Sequence, residues 1–230
     1  MDGIGRTNQA VMRLWQHTFS DDADVYMPLI YPPIKKDVVL FVSLNPSFSQ
    51  EGFRAILRDT QYSQISPVDF FHWRNRARFD LGTAQAIEVL AKNKYAFFGK
   101  FKDIARYVAV DWEHIDLFFN RQTNQDAFKQ AVYDDDILSE FGRRQLELSK
   151  GLVVEACPRV IVVANAFASR VFAEEFNAEF DEEHGYHTIQ LHGQVVPVFL
   201  ASMLTGQRAM DVNSYQRLRW HIKKTLDQIQ

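Results

Sequence analysis

With one cysteine in 230 residues, Cys157, the chain cannot form an internal disulfide. That cysteine stands just before Pro158 in a stretch of helical pattern, so it reads as a small buried hydrophobe of a reducing compartment, not as a reactive thiol. Long hydrophobic runs are also missing. Nowhere are there about 18 consecutive apolar residues, and the first residues lack the apolar stretch of a secretory signal. The expectation is a cytoplasmic protein that does not enter a membrane. A strong charge of either sign is absent too, since 26 Lys and Arg against 29 Asp and Glu leave a net −3. A wholesale basic footprint is thereby excluded, and any nucleic-acid contact must come from local clusters.

Several catalytic signatures are absent as well. There is no Gly-x-Ser-x-Gly elbow and no Gly-x-Gly-x-x-Gly fingerprint, and Phe97-Phe98-Gly99-Lys100-Phe101 lacks the earlier glycine and following hydroxyl of a phosphate-binding loop. Asp181, Glu182 and Glu183 beside His184 and His187 offer no helical pair of ligands at i and i+4, so they read as a solvated acidic turn. His72, His114 and His192 are scattered and read as surface or loop histidines. No metal and no cofactor is called for. No internal repeat or low-complexity linker divides the chain.

At 47% hydrophobic and 24% charged, the chain can bury one sizeable core. The reading is a single domain over residues 1–230, with residues 1–36 as an N-terminal helix and lead-in. The helix runs from Thr7, its N-cap, to Phe19. The organising stretch follows. Val38 to Val42 is continuously apolar, as a strand covered on both faces is. It breaks at Ser43-Leu44-Asn45-Pro46-Ser47, where Pro46 removes a donor and turns the chain. Ligands of open α/β sheets bind at that carboxyl edge, so Asn45 is a candidate by position, or else stabilises its own loop through an Asx-turn.

Further strands are expected at His114–Phe119, Val160–Val163, and in a hairpin-like pair, Tyr186–Leu191 with Val195–Leu200. Helices are expected over Gln50–Asp59, Asp80–Leu90, Asp136–Cys157 and Val212–Ile229, with another opened by Asn165 as its cap. The alternation predicts a three-layer α/β/α sandwich on a mainly parallel sheet of four or five strands. Polar loops then gather at the strand ends: Ser43 to Phe53, Asn120 to Asn124, and Ser202 to Arg208. Phe70 to Phe79 mixes aromatic and basic residues densely. It reads either as Trp73 stacking while Arg74, Arg76 and Arg78 meet phosphates, or more simply as a solvated arginine face.

In these motifs the sequence resembles the uracil-DNA glycosylase superfamily, in its mismatch-specific and single-strand-selective branches. There the first strand ends in Gly-hydrophobic-Asn-Pro-Gly, and Ser43-Leu44-Asn45-Pro46-Ser47 keeps the Asn-Pro core. The resemblance implies that Asn45 positions the water, Phe48 or Phe53 stacks on the base, and Asn120 reads it. Ser43, Leu44, Pro46 and Ser47 complete the substrate loop. Ser202, Met203, Leu204, Thr205, Gly206, Gln207 and Arg208 correspond to the loop that meets the nucleic acid. Both motif glycines are serines here, and the last loop has no histidine, which leaves Met203 and Leu204 as apolar wedges. Arg74, Arg76, Arg121 and Arg208 are the expected phosphate contacts.

The implied activity is hydrolysis of the N-glycosidic bond of uracil or another altered base, single-stranded or damaged DNA being the partner. The alternative is a non-catalytic module that binds a free base, a nucleotide or a single strand on the same fold.

Overall fold

A computed structural model describes residues 3–229. In chain order the elements are α1 (Gly3–Thr18), β1 (Val39–Ser43), α2 (Gln50–Leu57), α3 (Pro67–Phe71), α4 (Leu81–Lys94), α5 (Gly99–Val108) and β2 (Trp112–Asp116). They continue with α6 (Gln125–Val132), the small ladder β3 (Tyr133–Asp134) and β4 (Ile137–Leu138), and α7 (Glu140–Ala156). The rest are β5 (Val160–Ala164), α8 (Ala166–Glu175), β6 (Glu179–Asp181), β7 (Tyr186–Leu191), β8 (Gln194–Ala201) and α9 (Val212–Gln228). Two compact units share these elements. One holds the chain up to Pro33 with Asn45–Ala96 and Phe118–Ser149; the other holds Ile34–Leu44, Phe97–Leu117 and the chain from Lys150 on.

The sheet belongs to the second unit. Its order is β2-β1-β5-β8-β7-β6, parallel across β2-β1-β5-β8 and antiparallel across β8-β7-β6. The expected sheet of four or five mainly parallel strands is therefore corrected to a mixed one of six. The hairpin from Tyr186 reverses direction through His192 and Gly193, both at positive φ, and adds β7 on the far side of β8 with β6 beside it. Every residue of β1 and β5 is buried, as their unbroken apolar runs require.

Helices flank this sheet. Val39 and Phe41 of β1, Val160, Val162 and Ala164 of β5, and Phe199 of β8 share a core with Phe101, Ile104 and Val108 of α5 and Ile222 and Leu226 of α9. Side chains alternate along a strand, so Ile161 and Val163 turn the other way. There α8 follows β5, and Ser169 Oγ donates to the carbonyls of Val163 and Ala201 at 3.4 and 3.1 Å. Asn165 caps α8 by accepting from the N–H groups of Phe167 and Ala168.

The first unit is built around α1, α2, α4 and α6. Asn8 of α1 holds the proline-rich lead-in from both sides, donating to the carbonyl of Tyr31 at 2.8 Å and accepting from its N–H at 3.0 Å. The helix begins at Gly3, so Thr7 lies inside it, bonded back to the Gly3 carbonyl, and is not the N-cap. Trp73 is fully buried with its indole N–H on the Ser20 carbonyl, which removes it as a stacking platform. Arg76 pairs with Asp21, and Arg74 donates to the Asp22 carbonyl, so both serve the Ser20–Asp24 loop. In the second unit Cys157 is exposed at φ 41°, just past the end of α7, and is not a core hydrophobe.

Candidate functional site

Residues Asn45–Ser49 and Asn120–Asn124 form two loops of the first unit fastened to each other. Asn45 Nδ2 donates to the carbonyls of Gln122 at 2.7 Å, Asn120 at 3.1 Å and Pro46 at 3.2 Å. The Gln122 N–H returns a bond to the Pro46 carbonyl at 3.0 Å. Thr123 Oγ1 accepts from the Phe48 N–H at 3.2 Å and donates to the Phe48 carbonyl at 3.1 Å. Each loop then leads into a helix capped by a side chain, Ser49 for α2 and Asn124 for α6. Three carbonyl acceptors identify the nitrogen end of the Asn45 amide and fix its rotamer. Its Oδ1 receives no hydrogen bond among the described residues and is not sealed from solvent.

Asn120 carries the complementary anomaly. Its Oδ1 is buried with no hydrogen-bond partner among the described residues, and a buried orphan acceptor costs about 1–3 kcal/mol. The next residue, Arg121, is buried, pairs with buried Glu88 of α4, and lies over the rings of Phe71 at 4.3 Å and Phe53 at 5.6 Å. Its charge is spent inside the unit. Arg121 is therefore corrected from a phosphate contact to a structural ion pair.

Phe48 and Phe53, the expected base-stacking residues, do come together, with ring centroids 5.5 Å apart. Phe48 is also stacked on Tyr26 at 4.1 Å, and Phe53 is buried against Phe71. Sequence reasoning passed over Tyr26, which lies in the proline-rich lead-in and gave no pattern signal. Pro46 is half-buried and Ser47 exposed.

Ser43 and Leu44 close β1 in the second unit, where both are buried. Ser43 Oγ lies 3.0 Å from His114 Nε2, and Asp116 Oδ1 lies 3.8 Å from the same nitrogen. Serine and carboxylate thus meet one ring nitrogen, whereas a hydrolase triad divides them between two. His114 is buried among Phe97, Phe98 and Phe101, correcting its reading as a surface histidine. The signal for it was His114 and Asp116 two apart within an apolar strand, which places both on one face.

Ser202–Arg208 follows β8 in the same unit. Ser202, Gly206, Gln207 and Arg208 are exposed, Met203 and Thr205 are half-buried, and Gly206 turns the chain at φ 89°. Leu204 is only 3% exposed and belongs to the core shared by β1, β5, α5 and α9. That corrects its reading as an apolar wedge, because a core side chain cannot enter a base stack without unpacking. Asp181 and His184 form an exposed pair at 2.9 Å, and among the described residues no group of three or more His, Cys, Asp or Glu can hold a metal ion. No described helix is long and apolar enough to cross a membrane.

Fold and site define an α/β protein whose candidate polar centre is a fixed asparagine amide on clamped loops. No protein-family model matches the chain, and no curated protein matches it in sequence.

Proposed function

We propose that this chain recognises an altered base in DNA and hydrolyses its N-glycosidic bond, as the uracil-DNA glycosylase-like reading of its motifs implies. The observation that carries the proposal is the Asn45 amide, anchored through Nδ2 to three carbonyls with Oδ1 left open. A preset acceptor of this kind orients a water without paying for reorganisation during the reaction. Water oxygen then bonds to the sugar C1′ as the bond to the base nitrogen breaks. The electron pair leaves with the base, and the proton given up by the water passes through solvent to the departing base, which leaves a hydroxyl on C1′. Asn120 Oδ1, buried and unpartnered, is suited to accept an N–H of the base edge.

A second reading, binding of a base or nucleotide without cleavage, is favoured by one observation. Asn45 bonds only to backbone carbonyls and an amide is not a base, so nothing bonded to it takes up the water's proton. Base release from uracil-containing oligonucleotides, single-stranded, matched and mismatched, decides between them. Release by the parent and none by a folded Asn45→Ala variant supports hydrolysis. A silent parent that binds uracil or uridine calorimetrically gives the case to the second reading, and a parent that does neither overturns both.

A further inference from the structure

Two packed helices of the second unit carry a charge unlike that of the chain. Between them α5 and α9 hold Lys100, Lys102, Arg106, Arg217, Arg219, Lys223 and Lys224 against Asp103 and Asp227. That is seven positive against two negative charges, a local +5 within a chain of net −3. On this basic ground lies an open groove of about 420 Å³, lined by Tyr107 of α5 and by Asn213, Gln216, Arg217, Arg219 and Trp220 of α9. Its volume falls in the range of ligand sites.

The groove has a built wall and a free one. Tyr215 donates its hydroxyl to Asp103 at 2.7 Å, Arg219 pairs with the same carboxylate at 3.0 Å, and the Arg219 guanidinium lies 4.3 Å over the Tyr107 ring. This network joins α5 to α9 and sets the Tyr107 ring in place. On α9, Asn213, Gln216, Arg217 and Trp220 follow the i, i+3, i+4, i+7 spacing of one helix face. Arg217 has no carboxylate within ion-pair distance among the described residues; it donates to Ser214 Oγ, which donates to the Asp211 carboxylate, so that its charge reaches Asp211 without a direct pair. Trp220 is 54% exposed and Tyr107 is 37% exposed. Of the four tryptophans, Trp15 and Trp73 are buried and Trp112 is half-buried, so Trp220 alone is exposed.

We propose that this groove binds a single-stranded polynucleotide, with a base stacked on Trp220, phosphate on Arg217, and base edges against the amides of Asn213 and Gln216. An open aromatic face beside an exposed arginine free of any direct ion pair is how proteins hold single strands. A duplex does not offer a free base face, and an acidic peptide would use the charge but leave the indole idle. The proposal shares no residue with the Asn45 loops and does not depend on the function proposed for them.

The experiment titrates the parent with a deoxythymidine oligomer and, separately, a uridine oligomer, following tryptophan fluorescence. It repeats the titration with fluorescein-labelled oligomers by anisotropy for Trp220→Ala and Arg217→Ala, whose helix content is checked by circular dichroism. Both side chains are exposed, so both variants should fold. Quenching in the parent is expected with either sugar, and any preference between the two identifies the natural strand. Trp220→Ala should bind about tenfold more weakly or worse. Arg217→Ala should lower the slope of log affinity against log salt by about 0.7. The proposal is overturned if the parent shows no quenching or if both variants bind like the parent. It is also overturned if duplex or polyglutamate binds as well as the single strand.

Discussion

Asn45 Nδ2 and the carbonyl oxygen of Gln122 lie 2.7 Å apart, the shortest of three bonds by which one side chain holds two loops together. Asn45→Ala removes all three bonds from Nδ2 while the Gln122 bond to Pro46 remains. The expected cost is about 1–3 kcal/mol. Asn45→Asp should cost more at pH 7, because a carboxylate would face three carbonyls. Part of that loss should return below pH ~4, where the protonated acid can donate. Denaturant unfolding of both variants at the two pH values checks this, and parental stability in both would mean the loops do not need the clamp.

Glu88 and Arg121 form a buried ion pair, so removing one partner strands the other. Glu88→Leu or Arg121→Met alone should destabilise by about 3–5 kcal/mol. The double replacement Glu88→Leu with Arg121→Met should recover much of that, since an apolar pair leaves no charge uncompensated. A double-mutant cycle measured by urea denaturation tests it, and simple additivity of the two single losses would refute the coupling.

Stability at the extremes of pH should pass through Asp103 and Tyr215. The Tyr215 hydroxyl and then Arg219 hold the Asp103 carboxyl below the usual aspartate range. The unfolded chain therefore takes up this proton first as pH falls, and the stabilisation present above pH ~4 is lost as acidity passes through the lower folded value. Partial exposure of Asp103 keeps the effect small. Burial, then the bond to Asp103, pushes the Tyr215 hydroxyl well above its ordinary value. Its contribution is complete below pH ~10 and fades as pH rises past that. Asp103→Asn should flatten the acid limb and Tyr215→Phe the alkaline limb of a plot of unfolding midpoint against pH. Limbs unchanged from the parent would show that other groups govern them.

Leu204 and Met203 are neighbours with different fates. Leu204→Ala should cost about 2–5 kcal/mol, as truncation in a packed core does. Met203→Ala, at a half-buried position, should cost clearly less. Thermal unfolding of the two variants settles this, and equal losses would mean that both side chains pack alike.

How far the sequence could be read depended on how local the cause was. The Val38–Val42 run needed only its own apolarity, and every residue of β1 is buried, as in a strand covered on both faces. Asn165 needed only the two following N–H groups, and it caps α8 as expected. The Tyr186–Leu191 and Val195–Leu200 pair needed only a turn, and β7 and β8 form it. The failures were non-local. Whether Arg121 points at solvent or at Glu88 depends on a residue 33 positions away. Tyr26 meets Phe48 from a segment with no periodicity, and Cys157 is exposed because the chain takes a left-handed turn that Pro158 does not announce. At the candidate site the sequence singled out Asn45, Phe48, Phe53 and Asn120. It did not show that the Asn45 amide is spent on one side and open on the other, because that follows from where the carbonyls of Asn120 and Gln122 lie.

The strand order has a consequence in time. Val39 pairs with Trp112 on one side and Val160 on the other, so the first strand to leave the ribosome has no partner on either edge until much later parts of the chain have emerged. The β7–β8 hairpin closes within roughly 1–10 μs of its synthesis, whereas β1 must wait for β5, more than a hundred residues later. At about 5–20 residues per second, that leaves the β5-facing edge of Val39–Ser43 unpaired for several seconds or more. An apolar edge exposed that long invites association between nascent chains, so the yield of folded protein should depend on translation speed and on chaperones that cover the emerging strand.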